Sequence, residues 1–266
     1  MTQAVYLFGL TCADRLEQLQ QLTYHDNSLL LHSVASVLAI YTWVPLTEFC
    51  GTEAETRMQD LAWLLPRAQY HEQVIRQAMQ YSPVLPTNFA TLFSNLASLE
   101  NYLSQHTVTI TQFLLEITNK QEWAVKGLLN RSAAITTLVN QQLVQQSTQL
   151  ANSPGKRYFQ ERQFHRQAEQ QLQGWLKQVC GEIATDLAKR TSRFTKRRVW
   201  SPSDTDTHQE IIVNWAFLLS SEQLSDFLDQ IKRINAQYAH LGLSFEYSGP
   251  WAPYSFSKII GPPAAK

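Results

Sequence analysis

The chain carries seven histidines, three cysteines and 22 acidic side chains, and their spacing decides which chemistry is open to it. His71-Glu72 begins like the zinc-protease helix motif H-E-x-x-H. That motif needs a second imidazole one helical turn further on, so that both rings face one metal. The position where it should fall holds Ile75. The pair therefore reads as a helix-surface histidine beside a glutamate. His25, His32, His106, His165, His208 and His240 show no metal-ligand spacing among themselves.

Cys12, Cys50 and Cys180 are far apart, form no C-x-x-C pair and are odd in number. They read as reduced, mostly core thiols of an intracellular protein. No G-x-S-x-G elbow, Walker loop or G-x-G-x-x-G fingerprint occurs. Glycine is scarce, at 9 residues, whereas glutamine reaches 28. The carboxylates are scattered, and Glu53 and Glu55 stand in a helix-capping context. The sequence thus offers no catalytic constellation, no metal site and no cofactor site, and the expectation is a protein that is not an enzyme.

Two segments could instead serve recognition. The first is basic. Residues 156–198 hold 11 basic and 4 acidic groups, between stretches of net charge −4 and −3, although the chain sums to zero. Within it, Arg193-Phe194-Thr195-Lys196-Arg197-Arg198-Val199-Trp200 interleaves cations with aromatics. As a strand it would place Arg193, Thr195, Arg197 and Val199 on one face, and Phe194, Lys196, Arg198 and Trp200 on the other. Such a strand can contact nucleic acid by stacking and phosphate pairing, or simply protect a sheet edge by charge. The RNP1 pattern is absent. The second segment runs from Gly249 to Phe256, with Trp251, Tyr254, Phe256 and two prolines. A stiff aromatic tail can dock on a partner or fold back over its own core.

The elements that must position these residues follow from periodicity. Residues 4–10 read as a strand, 14–22 as a helix, and 29–31 and 33–44 as two strands. Thr52-Glu53-Ala54-Glu55 reads as a capping box for a helix running toward Leu65. Pro66 then opens the next helix, which Pro83-Val84-Leu85-Pro86 ends. Residues 92–117 are mostly helical and 122–129 strand-like. This order predicts a ferredoxin-like split βαβ unit with helices inserted before its last strand.

Asn152-Ser153-Pro154-Gly155 reads as a linker. A long helix from Lys156, a basic strand to Trp200, a polar loop from Ser201, strands at 211–219 and 241–247 and a helix from Ser221 follow. The fold class is α+β with two domains. A ferredoxin-like domain spans 1–130, a helix and linker 131–155, a second α+β domain with a long helix and small antiparallel sheet 156–248, and an aromatic, proline-containing tail 249–266. No apolar run reaches the ~18 residues of a membrane helix, and the start lacks the basic region of a secretory signal. A cytoplasmic location without membrane contact is expected.

Several segments together resemble the gas vesicle proteins of the F and L type. They are Ala4-Val5-Tyr6-Leu7-Phe8-Gly9, His71 to Ile75, Pro83 to Phe93, Glu122 to Lys126, Asn214 to Leu219 and the Gly249 to Phe256 tail. The central motif departs from the family pattern, with Asn88 and Ala90 where Arg and Gly are more usual, which could alter a local turn. The resemblance leans toward the F type. It implies a minor structural or assembly component of the gas vesicle that binds the small hydrophobic shell protein and other vesicle proteins. Pro83, Pro86, Phe89, Phe93, Arg193, Arg197, Trp251, Tyr254 and Phe256 are the expected interaction residues. A nucleic-acid-binding module built on 156–198 is the alternative.

Overall fold

The computed structural model describes residues 2–25, 28–145, 154–199 and 209–257. The chain divides into two compact units, one formed by 1–122 with 250–266, the other by 123–249. The first unit contains β1 (Gln3–Cys12), α1 (Leu16–His25), β2 (Leu30–Val34), β3 (Val37–Pro45), α2 (Leu46–Phe49), α3 (Thr52–Gln59), α4 (Leu61–Ala78), β4 (Val84–Pro86), β5 (Leu92–Phe93) and α5 (Leu96–Ile117). Its sheet runs β2-β3-β1-β4, with β5 also on β1, and each pairing is antiparallel. One helix joins the first and second strands, and α2, α3 and α4 join the third and fourth. That is the split βαβ order, with inserted helices.

One face of this sheet presents Tyr6, Phe8, Leu38 and Ile40 to Leu19 and Leu22 of α1 and to Val74, Ile75 and Ala78 of α4. α5 packs against β1, β3 and β4 and buries Leu99, Leu103, Ile110 and Leu114. A bulge between Leu7 and Gly9 inserts Phe8 as an extra residue opposite Tyr41 and Ile40. Gly9 is the residue this permits: a Cβ there would stand 3.0 Å from the Leu85 carbonyl oxygen and from a Val84 methyl.

The helix starts differ from expectation in two places. Thr52 does not close a capping box. The cap of α3 is Gly51, held at φ 98°, with no side-chain hydrogen bond, a conformation open to glycine. The break between α3 and α4 falls at Asp60, whose carboxylate accepts from the Ala62 amide at 2.9 Å. Pro66 therefore lies inside α4. Its ring cannot donate to the preceding turn.

The second unit uses β6 (Lys120–Leu129), α6 (Arg131–Gln145), α7 (Pro154–Ala188), β7 (Arg193–Lys196), β8 (Glu210–Ser220), α8 (Ser221–Tyr238) and β9 (Leu243–Trp251). Its sheet runs β7-β8-β6-β9. Numbered within the unit, that is again 2-3-1-4, the order of the first sheet. The strand at 122–129 thus opens the second sheet and does not close the first, whose fourth strand is the short β4. Hydrophobic pairing explains the choice. Trp123 and Val125 join Trp215, Phe217, Phe245 and the inner faces of α7 and α8 in one core. Gly127 sits where a Cβ would come within 2.5 Å of Val213, so the strand is fitted to β8. The first half of α7 pairs with α6 through Phe164, Ala168, Leu172 and Val139. Its second half lies on the sheet.

The expected linker at 152–153 and the polar loop from Ser201 lie outside the described residues, whereas Pro154 already begins α7. No helix among the described residues is long and apolar enough to cross a membrane.

Candidate partner-binding site

The helix-facing side of the first sheet carries an aromatic cluster. The Tyr6 ring lies 4.9 Å from Phe8, 5.4 Å from Phe49 and 6.1 Å from Phe89, distances typical of favourable edge and tilted ring pairs. Tyr70 meets Phe8 edge-on at 5.7 Å. These rings do not close over completely. Tyr6, Phe8, Val44, Phe49, Pro66, Tyr70 and Phe89 line an open pocket of about 300 Å³, with Thr42, Glu48 and Arg67 at its polar side. Arg67 lies 3.7 Å from the Glu48 carboxylate and 4.3 Å over the Trp63 ring. The guanidinium is thus held by stacking as well as charge. One residue before Pro66, Leu65 is about half exposed, and Leu61, one turn earlier, is 64% exposed.

A buried hydrogen-bond chain fixes the pocket wall. His71 is not on the helix surface, as its pairing with Glu72 suggested, but 2% exposed. Its Nε2 lies 3.0 Å from the Thr87 carbonyl oxygen, which can only accept. Nε2 therefore carries the proton, and Nδ1 accepts from the Tyr6 hydroxyl at 2.9 Å. That hydroxyl in turn accepts from the Ala90 amide at 3.2 Å. Burial pushes His71 below its ordinary value, against the opposing pull of Thr87 and Glu72, and pushes the Tyr6 phenol up. Both groups stay neutral. Thr87 closes the arrangement, with its hydroxyl set against the carbonyls of Leu7 and Phe8 at the bulge at 2.6 and 2.9 Å. No group of three or more metal-binding side chains occurs among the described residues. The site offers mainly apolar surface and shape, with Thr42, Glu48 and Arg67 on one side.

The residues expected at an interface fall into both units. Phe89 lines the pocket, and with Tyr254 it packs against the first unit's core. Pro86 is buried and Pro83 half-buried. Phe93 and Phe256 are buried, at 8% and 4% exposure, whereas Trp251 is 39% exposed. The tail follows a fold-back course. Ala252 joins the first unit's core, and Ser255 donates its amide and hydroxyl to the two carboxylate oxygens of Glu122, each at 2.9 Å.

Arg193 and Arg197 are half-buried on and just after β7. Burial lowers the Arg197 guanidinium from its ordinary value. Phe194 points inward and stacks on Phe217 at 5.0 Å, so its face is taken by the core. Sequence reasoning missed Tyr6, Phe8, Phe49, Pro66 and Tyr70 as pocket residues. The signal available was the Tyr6/Phe8 alternation beside an aromatic-rich run from Trp63 to Tyr70.

The profile described as "Gas vesicle synthesis protein GvpL/GvpF" matches residues 4–258. The chain belongs to the GvpL/GvpF family. It is 23% identical over 223 residues to gas vesicle protein L of a Streptomyces species, covering 84% of this chain and 80% of that one. It is 25% identical over 219 residues to gas vesicle protein F of Dolichospermum flosaquae, covering 80% and 85%. The crystal structure of GvpF from Anabaena superposes with a TM-score of 0.64 at 17% identity, over 96% of this chain and 98% of that one. GvpF from Microcystis aeruginosa gives 0.58 at 16% identity, over the same shares. The GvpL/GvpF relationship thus extends over both units, and this family member shares the mixed α and β architecture of the solved structures.

Proposed function

We propose that this chain acts without catalysis in gas vesicle assembly, by binding the small hydrophobic shell protein through the aromatic pocket of its first unit. Membership of the GvpL/GvpF family supports the assembly role. The observation that carries the finer reading is the open pocket walled by Tyr6, Phe8, Phe49, Tyr70 and Phe89. A hydrogen-bonded chain through His71 holds that wall in place. Rigid aromatic walls around an apolar hollow suit an aliphatic anchor from a partner, because they bury area without first having to be ordered. A protein built to line a gas space exposes apolar surface before assembly and is prone to aggregate. Covering part of that surface would keep it available for the shell. On this reading the protein works in the cytoplasm and at the growing vesicle, together with other vesicle proteins. The tail, whose Phe256 is buried, then serves mainly the fold.

The test is retention of the purified shell protein by the full chain, at low and at high salt. An apolar interface predicts retention at both. Val44→Glu places a charge at the pocket wall and should abolish retention, while Trp251→Ala should leave it intact. The reverse pattern would move the interface to the tail, and loss confined to high salt would make it electrostatic.

A further inference from the structure

The second unit holds a pocket of different character. It measures about 410 Å³ and lies between α7 and the β7–β8 hairpin. Leu176, Cys180, Ile212, Val213 and Trp215 supply apolar lining, while Arg131, Lys177, Lys196 and Glu210 supply charge. Arg131 and Glu210 neutralise each other. The guanidinium forks onto the carboxylate at 2.9 and 3.0 Å, the bidentate geometry such pairs favour. Lys177 and Lys196 have no ion-pair partner among the described residues. Two ammonium groups without an ion-pair partner among the described residues therefore border a hollow of mixed polar and apolar lining. On α7, Gly181 borders the hollow, and a Cβ there would meet nothing within 4 Å.

We propose that this pocket docks an acidic, amphipathic segment of another protein, with carboxylates on Lys177 and Lys196 and an aliphatic side chain in the hollow. The proposal goes beyond the shell-protein reading and does not depend on it. Charge complementarity names the occupant. Three features favour a protein segment over nucleic acid. The Glu210 carboxylate stands at the rim. The Arg131 fork, the group best suited to a phosphate, is already taken. The nearest rings give no stacking platform, since Trp215 is 2% exposed and Phe194 lies against Phe217.

The experiment is fluorescence anisotropy on the full chain with a short labelled helical peptide built from Glu and Leu. A Lys and Leu counterpart serves as the control. The acidic peptide should bind, and more weakly as salt rises. The double variant Lys177→Glu with Lys196→Glu should weaken it by about three- to thirtyfold, the scale of losing two exposed charge contacts. Gly181→Leu fills the hollow, adds a good helix former to α7, and should weaken binding without lowering the melting temperature. The proposal is overturned if both variants bind like the parent, if the basic peptide binds equally well, or if single-stranded oligothymidine displaces the acidic peptide. Because Val44 and the aromatic pocket are untouched, failure here leaves the shell-protein test to be judged separately.

Discussion

The Tyr6 hydroxyl and Nδ1 of His71 lie 2.9 Å apart across 65 residues of chain. This contact ties the first strand to the longest helix of the inserted segment. Each partner has its remaining hydrogen-bond capacity met, the phenol by the Ala90 amide and the ring by the Thr87 carbonyl. A polar chain this complete can be buried without penalty, and a broken one cannot.

Tyr6→Phe breaks it. The ring stays, but His71 Nδ1 and the Ala90 amide lose their partner inside the core. The expected cost is about 1–3 kcal/mol, the scale of stranding a buried polar group. Urea unfolding of the parent and the variant gives the figure directly, and an unchanged midpoint would show that water repairs the gap.

Acid should act on the same chain. Burial holds His71 neutral and below its ordinary value of 6.5. The unfolded chain takes up a proton near that value, and the folded chain resists it. The His71 contribution is therefore complete above about pH 6.5 and shrinks as pH falls, with a slope approaching about 1.4 kcal/mol per pH unit. His71→Gln keeps a donor toward Thr87 and should flatten this part of the profile. Unfolding free energies measured from pH 7.5 downward decide it.

Ala90 adopts φ 62°, in the left-handed region that costs a residue with a Cβ about 1–2 kcal/mol. Ala90→Gly relieves that strain, set against a loss of about 0.5–1 kcal/mol from a looser unfolded chain. The net expectation is a gain of about 0.5–1 kcal/mol, read as a higher melting temperature. A lower one would mean that the alanine methyl makes a contact worth more than the strain.

The geometry at Ala90 was not legible in the sequence, because φ is set by the turn that brings its amide to the Tyr6 hydroxyl. Continuous apolar runs marked β1 and β8, and partial alternation with β-branched and aromatic residues marked β3, since β1 and β8 are inner strands with consecutive buried residues. Strand partners were less legible. Residues 122–129 read as a strand, yet their sheet was decided by Val213 and Phe245 packing over Gly127, contacts far away in sequence. His71 shows a further limit. Beside Glu72 it has the local look of a surface histidine, and only the arrival of Tyr6 and Thr87 from β1 and the segment after β4 explains its burial.

The tail gives the sharpest contrast among neighbouring aromatics. Phe256 is 4% exposed and Trp251 is 39% exposed. Truncating a buried Phe removes its transfer energy and leaves a cavity, so Phe256→Ala should cost about 3–5 kcal/mol. Trp251→Ala, at the surface, should cost well under about 1 kcal/mol. Tyr254 falls between them in burial but differs in sign. Its hydroxyl is buried and meets no partner in full hydrogen-bond geometry. Burial first, then a side-chain hydrogen bond to Glu72 and that carboxylate's charge, push the phenol far up. A neutral hydroxyl this poorly partnered, beside a carboxylate it meets at best off-geometry, is a cost the fold carries, and Tyr254→Phe removes it while keeping the ring. The expected gain is about 1 kcal/mol. If Tyr254→Phe proves destabilising instead, the hydroxyl holds a bridging water to Glu72, and Glu72→Gln should then show the same loss.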